Sequence, residues 1–123
     1  VSIALDCLVR DGYRCFKCGR PLGGSVPWNC HHRLSSSLGP DTPDNRITLC
    51  GFGNNRHDAD GREWCHGAVH QASTEARANG WIISRHATRP PSEVPVVHWQ
   101  LGEVTLTVDG QIIGPDGRAV MVA

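Results

Sequence analysis

The chain has 123 residues, equal numbers of basic and acidic side chains and a formal net charge of zero, with 14 Gly, 8 Pro, 6 Cys, 7 His and only 6% aromatic residues. That length bounds it to one domain with room for a short appendage, and so little aromatic mass leaves a purely apolar core thin, so a covalent or metal staple is expected. No apolar run approaches the length that crosses a bilayer, and a neutral chain gives nucleic-acid binding only weak support from charge alone.

The distribution of charge says more than its sum. Residues 1–89 hold eleven of the twelve Lys/Arg against eight acids, about +3, and residues 90–123 hold one against four, about −3. Eleven of the twelve bases are arginine, whose planar fork suits phosphate. Cysteines placed as Cys-x-x-Cys, and directly beside histidine, favour metal over disulfides. With no secretory signal visible, zinc in a reducing cytoplasm is the expectation.

In chain order, Ser2 to Arg10 predicts a short helix capped by Ser2, with Ile3, Leu5, Leu8 and Val9 as its apolar positions and Cys7 as a buried small residue. Asp11-Gly12 ends it. Cys15 and Cys18 form a knuckle able to hold one tetrahedral ion with two further ligands, and Gly19 permits the tight turn after it. Cys50 and Cys65 supply the other half. Val26 to Leu34 reads as the first strand of a hairpin, with Trp28 as a core anchor and Cys30 buried and unligated. Ser35 to Asp44 is a loop, long for a hairpin connection, and Asn45 to Cys50 alternates as the second strand with Ile47 and Leu49 on one face.

Gly51 to Trp64 is polar and reads as an exposed loop carrying a solvent-facing His57. Cys65 to Asn79 predicts a helix stopped by Gly80. His66 and His70, four residues apart, share one face of it at a spacing that lets two imidazoles grip one cation. Pro90-Pro91-Ser92-Glu93 reads as a linker. Val94 to Trp99, Glu103 to Val108 and Gln111 to Ile113 read as short strands, with Asp109-Gly110 as a hairpin turn. His86 and His98 read as surface or edge residues. The division expected is 1–89 as a zinc-stapled core and 90–123 as a β-rich C-terminal appendage.

The knuckle, His31-His32, Asn45, Cys50, and Cys65-His66 with His70 together resemble the HNH endonuclease family over residues 10 to 80, with a looser likeness to phage members in the tail. The resemblance implies an α+β fold: a small zinc-stapled ββα-metal (His-Me finger) core, here with an N-terminal helix and a short β tail. By position it implies His32 as general base, His31, His66 and His70 as ligands of a catalytic divalent metal, and Asn45 as the residue that orders the loop and the catalytic histidine. It also implies Cys15, Cys18, Cys50 and Cys65 as ligands of a structural zinc. Compact members separate the last two cysteines by two residues; here fourteen intervene. Loop-closure entropy grows slowly enough to tolerate this, with His57 as the alternative fourth ligand. Arg33 is the candidate contact to the scissile phosphate.

The function implied is metal-dependent hydrolysis of DNA phosphodiester bonds, by nicking or double-strand cleavage. The expected partners are DNA and a phage terminase large subunit, with no membrane, in a bacterial host cytosol. A histidine near neutrality takes a proton from water, and one cation serves as Lewis acid and template. An imidazole set suits Zn, Ni, Co or Mn, and His31 in place of the usual aspartate weakens the case for Mg. Adjacent strand residues face opposite ways, so a bend or bulge near Arg33 is expected if His31 and His32 are to serve one site. The alternatives are a non-catalytic zinc-binding DNA-recognition module and a redox or zinc-storage protein.

Overall fold

The computed structural model describes residues 2–53 and 55–122. Helix α1 spans Ile3–Arg10, with the Ser2 side chain accepting from Leu5 N and Asp11 closing its C-terminus. Only part of its apolar set faces inward. Cys7 and Leu8 are buried, whereas Leu5 and Val9 are 53% and 57% exposed. Polar pins set the docking instead. The buried Asp11 carboxylate accepts from Thr48 N (3.0 Å) and Thr48 Oγ1 (2.8 Å), and Arg10 donates to Asp11, Pro43 O and Arg46 O.

Strands β1 (Trp28–His32) and β2 (Arg46–Cys50) form the antiparallel hairpin, in register from Trp28↔Cys50 to His32↔Arg46. Alternation gives the hairpin two faces. Cys30, His32, Arg46 and Thr48 share one, against which α1 docks through Asp11; His31, Ile47 and Leu49 share the other. Both are covered, so Ile47 to Cys50 are all buried. The long connection ends in a 3-10 turn, Pro43–Asn45.

The segment 65–79 is not one helix. Helix α2 (Cys65–Gln71) and helix α3 (Ser73–Ala78) meet at Ala72, with φ −111° and ψ 63°. Ala72 N still bonds Ala68 O and Ala76 N bonds Ala72 O, so direction changes while hydrogen bonding continues. Ser73 and Thr74, weak interior helix formers, sit just past the break. Gly80 stops α3 as expected. At φ +75° it donates to Arg77 O while Trp81 N reaches Ala76 O (2.9 Å), which satisfies the terminal carbonyls. A Cβ there would lie 1.9 Å from Pro95 O, so the tail's approach also demands glycine.

The tail forms one antiparallel sheet in the order β3 (Val96–His98), β4 (Gly102–Leu106), β5 (Ile112–Ile113) and β6 (Ala119–Val120). The Asp109-Gly110 turn joins β4 to β5, with Thr107 N donating to Gln111 O. Strand β6 was not anticipated; its two residues carry too little pattern. Pro91–Glu93, expected as linker, is a 3-10 turn with Pro91 buried. Val96, Val104, Leu106 and Ile112 join Phe16, Ile47, Leu49, Trp64, Val69 and Trp81 in a single hydrophobic cluster. His98 is a correction: it is 2% exposed, with its ring edge-on to Phe16 at 4.7 Å. It lies on the same face of β3 as buried Val96, and its Nδ1 accepts from Gln100 N and Leu101 N, holding the turn that follows.

The chain is thus a small mixed α+β structure with a four-cysteine cluster able to bind a metal. None of its described helices is long and apolar enough to cross a membrane.

Candidate metal centres

Cys15 and Cys18 lie in the turn after α1, Cys50 ends β2, and Cys65 opens α2; their thiols all lie within 4.8 Å of one another. Cys18 Sγ and Cys50 Sγ are 3.8 Å apart, matching the roughly 3.8 Å that two 2.3 Å zinc–sulfur bonds subtend at a tetrahedral angle. Cys65 N–H points at Cys50 Sγ (3.4 Å), a donor that favours thiolate. Cys15, Cys50 and Cys65 are buried and Cys18 alone reaches the surface.

Packed together without a cation, the four thiols cannot all ionise. Hydrogen bonds from Cys15, Cys50 and Cys65 hold the Cys18 thiol far below the usual range, and the Cys15 contact leads in bringing Cys50 down to about 7. Cys15 is pushed up, chiefly by its hydrogen bond with Cys18, and Cys65 is pushed up, chiefly by its contact with Cys15. A divalent ion would relieve that competition, and the donor set suits zinc.

The fourteen residues between Cys50 and Cys65 do not carry the fourth thiol away. The loop folds on itself: Asp58 Oδ1 accepts from Asp60 N and Arg62 N, and Trp64 N bonds Arg56 O. Arg20 clamps it by pairing with Asp58 (3.0 Å) and lying over the Trp64 ring. His57 stays exposed, bridged to Glu63, and is not among the clustered ligands.

The second cluster gathers His31 from β1 with His66 and His70 from α2, their candidate ligand nitrogens also within 4.8 Å of one another. Each helical imidazole presents Nε2, and the two atoms are 3.2 Å apart, close to the roughly 3.3 Å of two nitrogens on one tetrahedral ion. The outer nitrogens are engaged. His31 Nε2 is bonded to Trp81 O at 2.8 Å and His66 Nδ1 to Gly53 O at 2.6 Å. A carbonyl can only accept, so each ring carries its proton there and turns a lone pair inward. Burial, more than the neighbouring imidazoles, pushes His31 down to about 3 and also lowers His70. Neutral, oriented imidazoles are the form that binds a cation.

His32 is not in this cluster. Pairing is regular through His32↔Arg46, and the bend comes only at Arg33 and Leu34, so His32 emerges on the hairpin face opposite His31. It is part-exposed at the open end of the hairpin, with Nε2 bonded to Asp41 Oδ1 at 3.1 Å; Arg46 pairs with the same carboxylate and donates to Cys30 Sγ (3.1 Å). Cys30 is half-buried and outside both metal clusters. Asn45 is fully buried. Its Oδ1 accepts from Leu34 N, and its Nδ2 donates to Leu34 O and Pro40 O, fixing the loop that carries Asp41.

No protein-family model, curated protein or solved structure matches this chain.

Arg33 is the principal correction among the site residues. It is 1% exposed and donates to Gly80 O, Asp44 O, Pro91 O and Val94 O. A guanidinium so engaged is a pin between the hairpin, the end of α3 and the tail, and it cannot reach a phosphate. Sequence reasoning also missed Asp41 and the carbonyls of Trp81 and Gly53. A loop aspartate among prolines carries no signal of partnership, and a backbone carbonyl has no residue code at all.

Proposed function

We propose that the protein is a metal-dependent phosphodiester hydrolase of the HNH, ββα-metal kind, acting on DNA. The observation that carries this reading is the His31, His66, His70 cluster, in which carbonyl partners fix two of the three rings so that lone pairs converge on one point. In this reading the hairpin and α2, which carry the three rings, stand for the two strands and the helix of such a core.

His31, His66 and His70 would hold a divalent cation, which would supply Lewis acidity and balancing charge for phosphodiester hydrolysis. His32 is the group that removes the proton from water. Asp41, accepting from Nε2, leaves Nδ1 as the basic atom, and Asn45 keeps the loop bearing Asp41 in place. Because His32 lies on the hairpin face opposite His31, a substrate reaching both His32 and the histidine cluster would have to cross the open end of the hairpin. The four-cysteine site takes no part in the chemistry and holds the fold.

A second reading, a zinc-binding DNA-recognition module without turnover, is favoured by that same regular pairing of His31 and His32. Plasmid relaxation with Zn, Ni, Co, Mn or Mg separates the two. The enzyme reading expects nicking or linearisation that His32→Ala and His66→Ala abolish, with the structural zinc retained. Binding of DNA with no cleavage under any of these metals would overturn it.

A further inference from the structure

The folded chain spends most of its positive charge internally. Arg10 and Arg33 bind buried carbonyls, and Arg14 bonds Gly19 O while lying over Trp99. Lys17, Arg20, Arg46, Arg56 and Arg118 each face a carboxylate. Among the described residues, the cations whose side chains have no partner are Arg62, Arg77, Arg85 and Arg89. Three of these four fall within thirteen residues of chain.

From Ala76 to Ser92 the sequence holds these three arginines and His86 and no carboxylate. Arg77, His86 and Arg89, with the hydroxyl residues Ser84 and Thr88, line an open cavity of about 370 Å³. Arg77 and Arg89 also border an adjoining depression, which Glu103 shares. The segment grows directly out of the histidine cluster. Trp81 O accepts from His31 Nε2, and Ile83 N donates to Arg33 O two residues beyond that ligand.

We propose that residues 77–89 form a track for the nucleic-acid backbone, in which Arg77, Arg85 and Arg89 bind phosphates flanking the one attacked at the histidine cluster. Guanidinium groups with no carboxylate partner break no ion pair on meeting a phosphate and gain from counterion release, and Glu103 is the one carboxylate that borders the adjoining depression. Ile82 and Ile83, next in the chain after the carbonyl that holds His31, also line the cavity, and this adjacency is the reason for naming the strand held at the metal site as its ligand. The choice of DNA as the polyanion rests on the nuclease reading above; the location of the track rests on the cations themselves.

The test is fluorescence anisotropy of a labelled DNA duplex against salt, with zinc-loaded protein and the Arg77→Ala/Arg85→Ala/Arg89→Ala variant. Each lost phosphate contact lowers the slope of log K against log salt by about 0.9, so the triple variant should lose about 2 to 3 in slope, with affinity falling on the order of tenfold or more. Arg118→Ala should leave the slope alone. Turnover of bis(p-nitrophenyl) phosphate and zinc content should match the wild type in both variants. An unchanged slope in the triple variant overturns the track. A lost slope in a protein that hydrolyses no phosphodiester supports the track and overturns the nuclease reading instead.

Discussion

The two candidate metal-binding clusters are built from neighbouring pieces of chain and differ in almost every other respect. Three of the four cysteines are buried, they come from three separate segments, and an arginine stacked on Trp64 closes the loop over them. The histidine cluster has one buried member, His31, while His66 is half-buried and His70 exposed. A closed thiolate set holds an ion for the sake of the fold, and an open imidazole set leaves a position for something else. The junction Cys65-His66 shows how economically this is done: consecutive residues at the start of α2 point one ligand into each cluster.

The contrast is broken most severely by stripping the cysteine site. Zinc removal by chelation, or Cys50→Ser, should abolish cooperative thermal unfolding followed by circular dichroism, because binding there contributes on the order of 10 kcal/mol to folding. A retained transition would make both sites accessory. His66→Ala comes next. It should lower cleavage by about a thousandfold or more, roughly 4 kcal/mol of barrier, and remove one metal equivalent by elemental analysis. The melting midpoint should stay within a few degrees. A large drop in that midpoint would show the histidine site to be structural as well.

Arg33→Met sharpens the contrast from a different side. It leaves buried carbonyls without a donor and should cost about 3 to 5 kcal/mol in denaturant unfolding, with the salt dependence of DNA binding unchanged in the protein that remains folded. A lost salt slope would return Arg33 to the substrate. The smallest effect is expected from Asp41→Asn, about tenfold in kcat with little change in KM, since the amide can hold the His32 ring less well without vacating the loop. An equal loss in wild type and in a His32→Gln background would detach Asp41 from that histidine.

Much of this was legible in residue types and spacings. Ser2 as cap, Gly80 as stop, the Asp109-Gly110 turn and the Cys-x-x-Cys knuckle are local devices, and local devices survive without knowledge of the fold. The i, i+4 pair His66 and His70 was readable because helical spacing alone places both rings on one face. Of the apolar positions of α1, Leu8 is buried as is Cys7, while Leu5 and Val9 stay exposed because the buried Asp11 carboxylate helps set how the helix docks. The single helix predicted over 65–79 is two because the break falls at Ala72, itself an excellent helix former, and the only local signal is the weak helix-forming pair Ser73 and Thr74 that follows.

The sequence by itself determined which side chains are able to bind metal and roughly which of them sit together, because ligand chemistry belongs to residue type and short-range spacing follows from backbone geometry. Only the tertiary structure decided which charges are free to act. Arg33 stands two residues from His31 and is consumed by four carbonyls, whereas Arg77, Arg85 and Arg89 lie far along the chain and remain unpaired. Pairing and burial depend on contacts between distant segments, and no local pattern encodes them.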